Sequence, residues 1–246
     1  MATFTRTDEL KGARFVGVSL RGARFVESDL SGVVMRGVDV GGADIDAPWL
    51  PDGTFLVNGV DVTPFVEAEL DRRFPGREQR RASDPAGLRA AWSALERTWE
   101  ATVARAAAMP DGTVDVSVDG EWSFAQTLRH LVHATDVWLR KAVLQVEQPF
   151  HPLGQADSSA EQDADVPPAV ADPPPYAEVL EVRAGRVAMV RDFLATVTPD
   201  ELAAERRNPH APEHAETVLS CLQVILEEEW EHHRFAVRDL DTLTGR

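Results

Sequence analysis

Large apolar side chains recur at every fifth position from residue 10 to residue 45, and this period restricts the N-terminal fold more than any other feature of the chain. A helix repeats its faces about every 3.6 residues and a strand about every 2, so neither keeps a five-residue spacing on one side. Smaller residues stand two positions earlier, and glycines follow the same period. The pattern predicts a solenoid. The apolar positions are Leu10, Phe15, Leu20, Phe25, Leu30, Met35, Val40 and Ile45.

This repeat resembles the pentapeptide-repeat family. The resemblance implies a right-handed quadrilateral β-helix over residues 1–50, with the large side chains stacked inside and glycines at the corners. The eight repeats would form about two coils. Because so few coils bury little surface, we expect the solenoid to lean on the rest of the chain. The corner glycines are Gly12, Gly17, Gly22, Gly32, Gly37 and Gly42.

Residues 51–83 predict a hairpin, a short helix and a connector. Asn58-Gly59 lies between two short β-prone runs, which is a strong hairpin signal, and the hairpin is expected to cap the solenoid. Pro64 suits the first turn of a helix that ends at Arg73, and a polar, basic connector follows to Ser83.

From Asp84 onward the apolar residues take helical spacing. Asp84 and Ser123 are candidate N-caps of the first two helices, a third helix is expected over 176–197, and a last one over 216–243. A brief extra helix precedes the last one. Four substantial helices with these connections predict a four-helix bundle over residues 84–246.

The bundle region is interrupted by an acidic, proline-rich stretch over residues 147–175. This stretch has no sustained apolar period and is long for a connection. Either a functional lid or a disordered insertion fits it.

Composition excludes several classes of function. The net charge of −16 disfavours nucleic acid as a partner. The chain has no apolar run near the roughly 18 residues that cross a membrane, and its first residues lack the pattern of a secretory signal, so we expect a cytoplasmic protein without a membrane partner. Only two of the 25 basic residues are lysines, a bias typical of GC-rich, actinobacterial coding sequences.

Cys221 is the only cysteine. It therefore permits neither an intramolecular disulfide nor a cysteine-based zinc cluster. Any bound metal must use His, Asp or Glu.

The last predicted helix carries two carboxylate–imidazole pairs with a spacing of four residues, Glu228 with His232 and Glu229 with His233. At about 100° per residue, Glu229 and His233 fall within the apolar face, whereas the other pair lies toward its edge. A carboxylate and an imidazole in an apolar core are costly unless they are paired or hold a cation. We therefore favour Glu229 and His233, and keep Glu228 and His232 as the alternative face.

Together with Trp122-Ser123 and His130, this stretch resembles the DinB superfamily over roughly residues 84–239. The family includes thiol-dependent transferases and the mycothiol-dependent maleylpyruvate isomerase. The resemblance implies a metal site formed by a His seven residues after the Ser, here His130, and by two residues four apart on the last helix, here Glu229 and His233. Most members have His at the first of those two positions, and the isomerase branch has Glu, as this chain does.

One Glu and two His with open positions suit Zn²⁺, with Ni²⁺ or Fe²⁺ as alternatives. The resemblance implies a metal-dependent transferase, isomerase or hydrolase that uses a low-molecular-weight thiol of the mycothiol type and acts on a small molecule. No further catalytic residue is assigned. A metal-free, hydrogen-bonded Glu–His pair remains open, as does a non-catalytic metal-binding or stress-associated interaction protein that uses the solenoid as a binding face.

Overall fold

The computed structural model describes residues 3–5, 10–156 and 173–245. The chain divides into two compact units, Met1–Asp46 and Ala47–Arg246. Residues 51–83, the connecting region of the sequence analysis, lie within the second unit. The choice between a lid and a disordered insertion falls largely on residues 157–172, which lie outside the described residues.

The first unit carries the five-residue period in its backbone. The six glycines that the sequence places at corners all have positive φ, between 63° and 78°, and Glu27 takes the same position in the period with a φ of 46°. Backbone bonds back across three residues close the turns, as from Ala13 N to Leu10 O and from Ala23 N to Leu20 O, both 2.9 Å. These glycines therefore have the backbone conformation that a tight turn requires.

The interior that the solenoid requires is missing. In the described part of this unit the backbone forms no β-strand, so the quadrilateral β-helix is not closed. The eight large apolar side chains are 43–60% exposed, and the prediction that they are stacked inside was wrong. A solenoid coil buries its apolar side chains against the coils above and below it, and eight repeats provide too few layers for this.

The second unit opens with the elements that the sequence predicts for residues 51–83. Asn58 and Gly59 have φ values of 51° and 82° and form the tight turn between two antiparallel strands. The elements are a 3₁₀ turn at Leu50–Asp52, β1 at Leu56–Val57, β2 at Val60–Asp61, α1 at Thr63–Arg73 and a second 3₁₀ helix at Arg77–Arg81.

Two arginines of the basic connector after α1 are buried and form ion pairs. Arg77 and Arg80 are only 1% and 2% exposed. Arg77 donates to Asp71 on α1 at 2.8 Å and to Glu231 at 3.3 Å, and Arg80 donates to Glu227 at 2.7 Å. Because buried charges need partners of opposite sign, these ion pairs fasten α1 and the connector to the last helix.

Four long helices form the body of the second unit. The helix between Phe124 and Thr135 continues into a π-helical segment, Asp136–Val143, where Leu144 N bonds to Leu139 O, five residues back, at 2.8 Å. The helices are α2 at Pro85–Ala107, α3 at Phe124–Thr135, α4 at Tyr176–Thr196 and α6 at Val218–Thr244, and the shorter elements are a 3₁₀ turn at Thr113–Asp115, α5 at Pro199–Leu202, β3 at Glu205–Arg207 and β4 at Ala215–Thr217.

Side-chain caps fix where three of these helices begin. The Asp84 carboxylate accepts from the first free backbone N–H groups of α2 at 3.0 and 3.1 Å, which confirms its N-cap role. Ser123 and Gln126 form a capping box at the start of α3, and Thr217 and Ser220 form another at the start of α6.

The core lies where α2 and α3 both pack against α4 and α6. Fully buried side chains of this kind each stabilise the fold by about 1.5–3 kcal/mol relative to exposure. None of the described helices is long and apolar enough to cross a membrane. The large apolar side chains at 2% exposure or less include Leu88, Trp92, Leu95, Leu128, Leu131, Leu139, Ile225, Trp230 and Leu240.

Cys221 should resist thiol reagents in the folded protein. Its side chain is 0% exposed, and burial raises the pKa of the thiol to about 11, so the reactive thiolate is scarce at pH 8. We expect slow alkylation by iodoacetamide in buffer at pH 8 and complete alkylation in concentrated urea, read by mass spectrometry. Rapid modification without urea would contradict the burial of the N-terminal part of α6.

Candidate metal centre

His130 on α3 presents one defined nitrogen to the interior of the second unit. Its Nδ1 lies 3.0 Å from the backbone carbonyl oxygen of Gln155. Because a carbonyl oxygen only accepts, Nδ1 carries a hydrogen, and in the neutral imidazole the lone pair is then on Nε2. Nε2 faces the carboxylate of Glu228 on α6 at 3.4 Å.

Glu228 and His232 lie one turn apart on α6 and complete a group of three with His130. One potential ligand atom from each residue lies within 4.8 Å of the other two. The Glu228 carboxylate oxygen is 3.4 Å from His130 Nε2 and 3.8 Å from His232 Nδ1. Bonds of about 2.1 Å to a tetrahedral ion separate neighbouring ligand atoms by about 3.4 Å, so these distances suit ligands of one ion better than short hydrogen bonds.

His232 has a buried nitrogen that nothing in the described chain satisfies. Its Nδ1 is buried without a hydrogen-bond partner among the described residues. Burial, reinforced by the neighbouring His130, lowers the pKa of His232 to about 3, against the opposing effect of Glu228. The imidazole is therefore neutral at pH 7, the form that binds metals.

Aromatic side chains border the group. The rings of His130 and His232 are stacked with centroids 4.5 Å apart, and the ring of Trp122 lies 4.7 Å from His130. Phe235 meets His232 edge-on at 5.6 Å. The side chains of His130, Glu228 and His232 are 8%, 18% and 13% exposed, so the group lies at the edge of the core rather than at its centre.

Glu229 points into the core and meets an arginine. It is 1% exposed, and Arg183 Nη2 from α4 lies 2.5 Å from both of its carboxylate oxygens. Burial raises the pKa of Glu229, although the charge and hydrogen bonds of Arg183 act to lower it. The pair joins α4 to α6.

His233 also points into the core and is enclosed by aromatic rings. Its Nε2 lies 2.8 Å from the hydroxyl of Thr102 on α2. The rings of Trp99, Trp230 and Phe74 meet it edge-on at 5.1, 5.9 and 5.9 Å. Burial lowers the pKa of His233 to about 4, so the ring is neutral at pH 7, with Nε2 hydrogen-bonded and Nδ1 buried without a partner among the described residues.

The structure thus brings His130 together with Glu228 and His232, and does not join it to Glu229 and His233. The helical geometry placed Glu229 and His233 correctly on the buried face, but burial does not require a metal when another chain segment supplies a partner. Arg183 and Thr102 are those partners, and no spacing within α6 reveals them. Glu228 and His232, the alternative pair, are partly exposed and lie at the edge of that face.

Three further side chains complete the comparison with the sequence. His133, three residues after His130 on α3, is buried and stacks on Phe150 at 5.3 Å. Asp136 is 0% exposed and accepts from Arg186 at 2.7 Å. Arg186 and its role had no signal in the sequence, because its partner lies 50 residues away.

Comparisons with known proteins agree with the two-part organisation. A family model for the DinB superfamily matches residues 94–236. A model for pentapeptide repeats matches residues 9–46 in eight copies. No curated protein and no solved structure matches the chain significantly.

The Glu229–Arg183 pair should be a strong stability determinant. Glu229→Leu leaves a buried guanidinium without its carboxylate, and we expect a loss of about 3–5 kcal/mol in the free energy of unfolding. The double variant Glu229→Leu/Arg183→Met should recover most of that loss, because both charges are gone. Urea denaturation of the two single variants and the double variant measures the coupling. Simple additivity of the two single losses would contradict a direct ion pair.

Proposed function

Because the chain belongs to the DinB superfamily, we propose that it binds a divalent metal ion through His130, Glu228 and His232. The observation that carries this proposal is the buried, unsatisfied Nδ1 of His232 beside a carboxylate and a second imidazole at ligand-to-ligand distances. Buried polar atoms in native proteins nearly always have a partner, and an ion would supply this one.

The ligand set favours Zn²⁺, with Ni²⁺ or Fe²⁺ as alternatives. Two imidazoles and one carboxylate are the donor types of catalytic zinc sites that leave a position open. One carboxylate and two neutral imidazoles would leave a divalent site with a net charge of about +1, which attracts an anion. The chemistry that such an ion supplies is Lewis acidity, which lowers the pKa of a water molecule or a thiol.

The protein's own residues contribute orientation and enclosure. The carbonyl of Gln155 holds His130 in the tautomer whose Nε2 can bind a cation. The low pKa of His232 keeps that imidazole free of a competing proton at pH 7. Trp122 is partly exposed and covers His130, so a small molecule that reaches the group from solvent would contact this ring.

We propose further that the protein is an enzyme that uses a low-molecular-weight thiol of the mycothiol type in a transfer, isomerisation or hydrolysis reaction. The support is the superfamily together with Glu228, which precedes His232 by four residues and so keeps the Glu-first spacing that resembles the isomerase branch. A metal centre of net positive charge would favour the thiolate form of such a cosubstrate.

A second candidate is a non-catalytic, metal-binding interaction protein. The observation that favours it is the exposure of the large apolar side chains in the first unit, from 43% at Leu10 to 60% at Phe25. Exposed apolar residues in such number are typical of binding surfaces. The two candidates share the metal group and differ in whether a thiol binds there.

The metal group is tested by titration of the chelator-treated, tag-free protein with Zn²⁺. We expect one ion per chain. Glu228→Gln and His232→Asn should each lose more Zn²⁺ affinity than the roughly 10- to 100-fold loss typical when a residue that hydrogen-bonds to a ligand is replaced. The matched controls are Glu229→Gln and His233→Asn, with circular dichroism to verify folding. They should bind Zn²⁺ within a few-fold of the wild type.

Two results of the titration would contradict this proposal. If His233→Asn loses the ion while His232→Asn retains it, the assignment to Glu228 and His232 is wrong. If the wild type binds neither Zn²⁺, Ni²⁺ nor Fe²⁺, the proposed function has no basis.

Thiol use is tested on the protein loaded with Co²⁺ as a spectroscopic substitute. Addition of mycothiol, or of another low-molecular-weight thiol, should produce a sulfur-to-cobalt charge-transfer band in the near ultraviolet, because a thiolate enters the open position. Equal concentrations of the matching alcohol serve as the control. Absence of the band at saturating thiol would reject the thiol-dependent enzyme and favour the second candidate.

A further inference from the structure

A loop formed by residues 149–155 follows the π-helical segment and runs back along α3 past His130. The loop contacts α3 at Arg129 and at His133, and it contacts the π-helical segment at Asp136. We propose that this loop, anchored by Asp136 and allowed to approach α3 by Gly154, positions His130 for metal binding. The proposal rests on the proposed function for its consequence, but its geometry concerns the chain alone.

The end of the 149–155 loop is bonded directly to α3. Gln155 N donates to the carbonyl of Arg129 at 3.1 Å, and the Gln155 carbonyl accepts from His130 Nδ1 at 3.0 Å. The Arg129 side chain donates through Nε to the carbonyl of Leu153 at 2.9 Å. Two consecutive residues of α3 therefore hold this part of the loop, and one of them is the candidate ligand.

The start of the loop is fixed by a buried carboxylate. Asp136 Oδ2 accepts from the backbone N–H of His151 at 2.8 Å. The same carboxylate accepts from Arg186 Nε at 2.7 Å and from Arg140 at 3.4 Å. Since a buried carboxylate is costly without donors, the hydrogen bonds from the two arginines stabilise Asp136 in the position from which it binds the loop.

A side chain at residue 154 would crowd the backbone of the loop itself and would also touch α3. A Cβ added at Gly154 would lie 3.1 Å from the carbonyl oxygen of His151 and 3.4 Å from Cβ of His133. His133 is itself held by its stacking on Phe150. A Cβ alone would meet α3 at van der Waals distance, whereas a larger side chain such as that of valine would push the loop away from α3 and carry the Gln155 carbonyl with it.

The consequence for His130 follows from hydrogen-bond chemistry. A neutral imidazole that lacks an acceptor at Nδ1 can place its proton on either nitrogen and can rotate more freely. The Gln155 carbonyl selects the Nδ1–H form, so that the lone pair of Nε2 points toward Glu228. Because the acceptor is a main-chain atom, the side chain of residue 155 is not what matters. Asp136 and Gly154 act through the loop and are positioning residues.

The first test measures Zn²⁺ affinity in variants of the full-length chain. Gly154→Val and Asp136→Asn should each raise the Kd by about 10- to 100-fold, and Gly154→Ala should give a smaller increase. Gly53→Val is the matched control, because Gly53 has an extended backbone and no atom within 4 Å of an added Cβ. Gln155→Ala is the second control, because it keeps the carbonyl. Both controls should bind like the wild type.

The second test needs no metal and separates the positioning role of the loop from the proposed metal binding. In ¹⁵N-histidine NMR spectra of the metal-free protein, His130 should be the Nδ1–H tautomer in the wild type and a mixture in Gly154→Val. If the wild type binds no metal, the proposed function fails while this measurement still decides the positioning role.

Two results would overturn the positioning role. One is an Nε2–H tautomer of His130 in the wild type. The other is an unchanged tautomer together with an unchanged Kd in Gly154→Val. If circular dichroism shows that Gly154→Val does not fold, Asp136→Asn and Gly154→Ala decide by the same two readouts.

Discussion

The packing of the second unit depends on the partners of four glutamates that lie within five consecutive positions of α6. A carboxylate that is removed from water is costly unless donors surround it, and neighbours on a helix point about 100° apart, so they cannot share one partner. Adjacent glutamates therefore meet different segments of the chain, whereas Glu227 and Glu231, four residues apart, both meet the connector. The pairs are Glu227 with Arg80, Glu228 with His130 and His232, Glu229 with Arg183, and Glu231 with Arg77 and Arg234.

These pairings arrange the rest of the unit around one helix. Arg77 and Arg80 join the connector, and with it α1, to α6. Arg183 joins α4 to α6, and His130 joins α3 to α6. At Glu228 the partners are imidazoles, and the low pKa of His232 shows that this ring carries no charge at pH 7. A divalent ion between them would supply the positive charge that arginines supply at the neighbouring glutamates.

The first unit shows what happens when a regular local pattern lacks its tertiary complement. Each corner glycine has the positive φ that its turn requires, because that conformation depends on only a few residues. Burial of Phe15 or Phe25 depends on coils stacked on both sides, which eight repeats do not supply. Regular turns and exposed apolar side chains therefore occur together in this unit.

The sequence by itself determined the local features of the protein. Asp84 and Ser123 mark helix starts and Asn58-Gly59 marks the hairpin, because caps and tight turns involve residues close together in the chain. Helical spacing also determined that two Glu–His pairs exist on α6 and which of them is more buried. Only the tertiary structure decided which pair meets His130. That choice depends on where α3 packs against α6, which brings His130 beside Glu228 and His232, while Arg183, 46 residues away in the chain, pairs with Glu229.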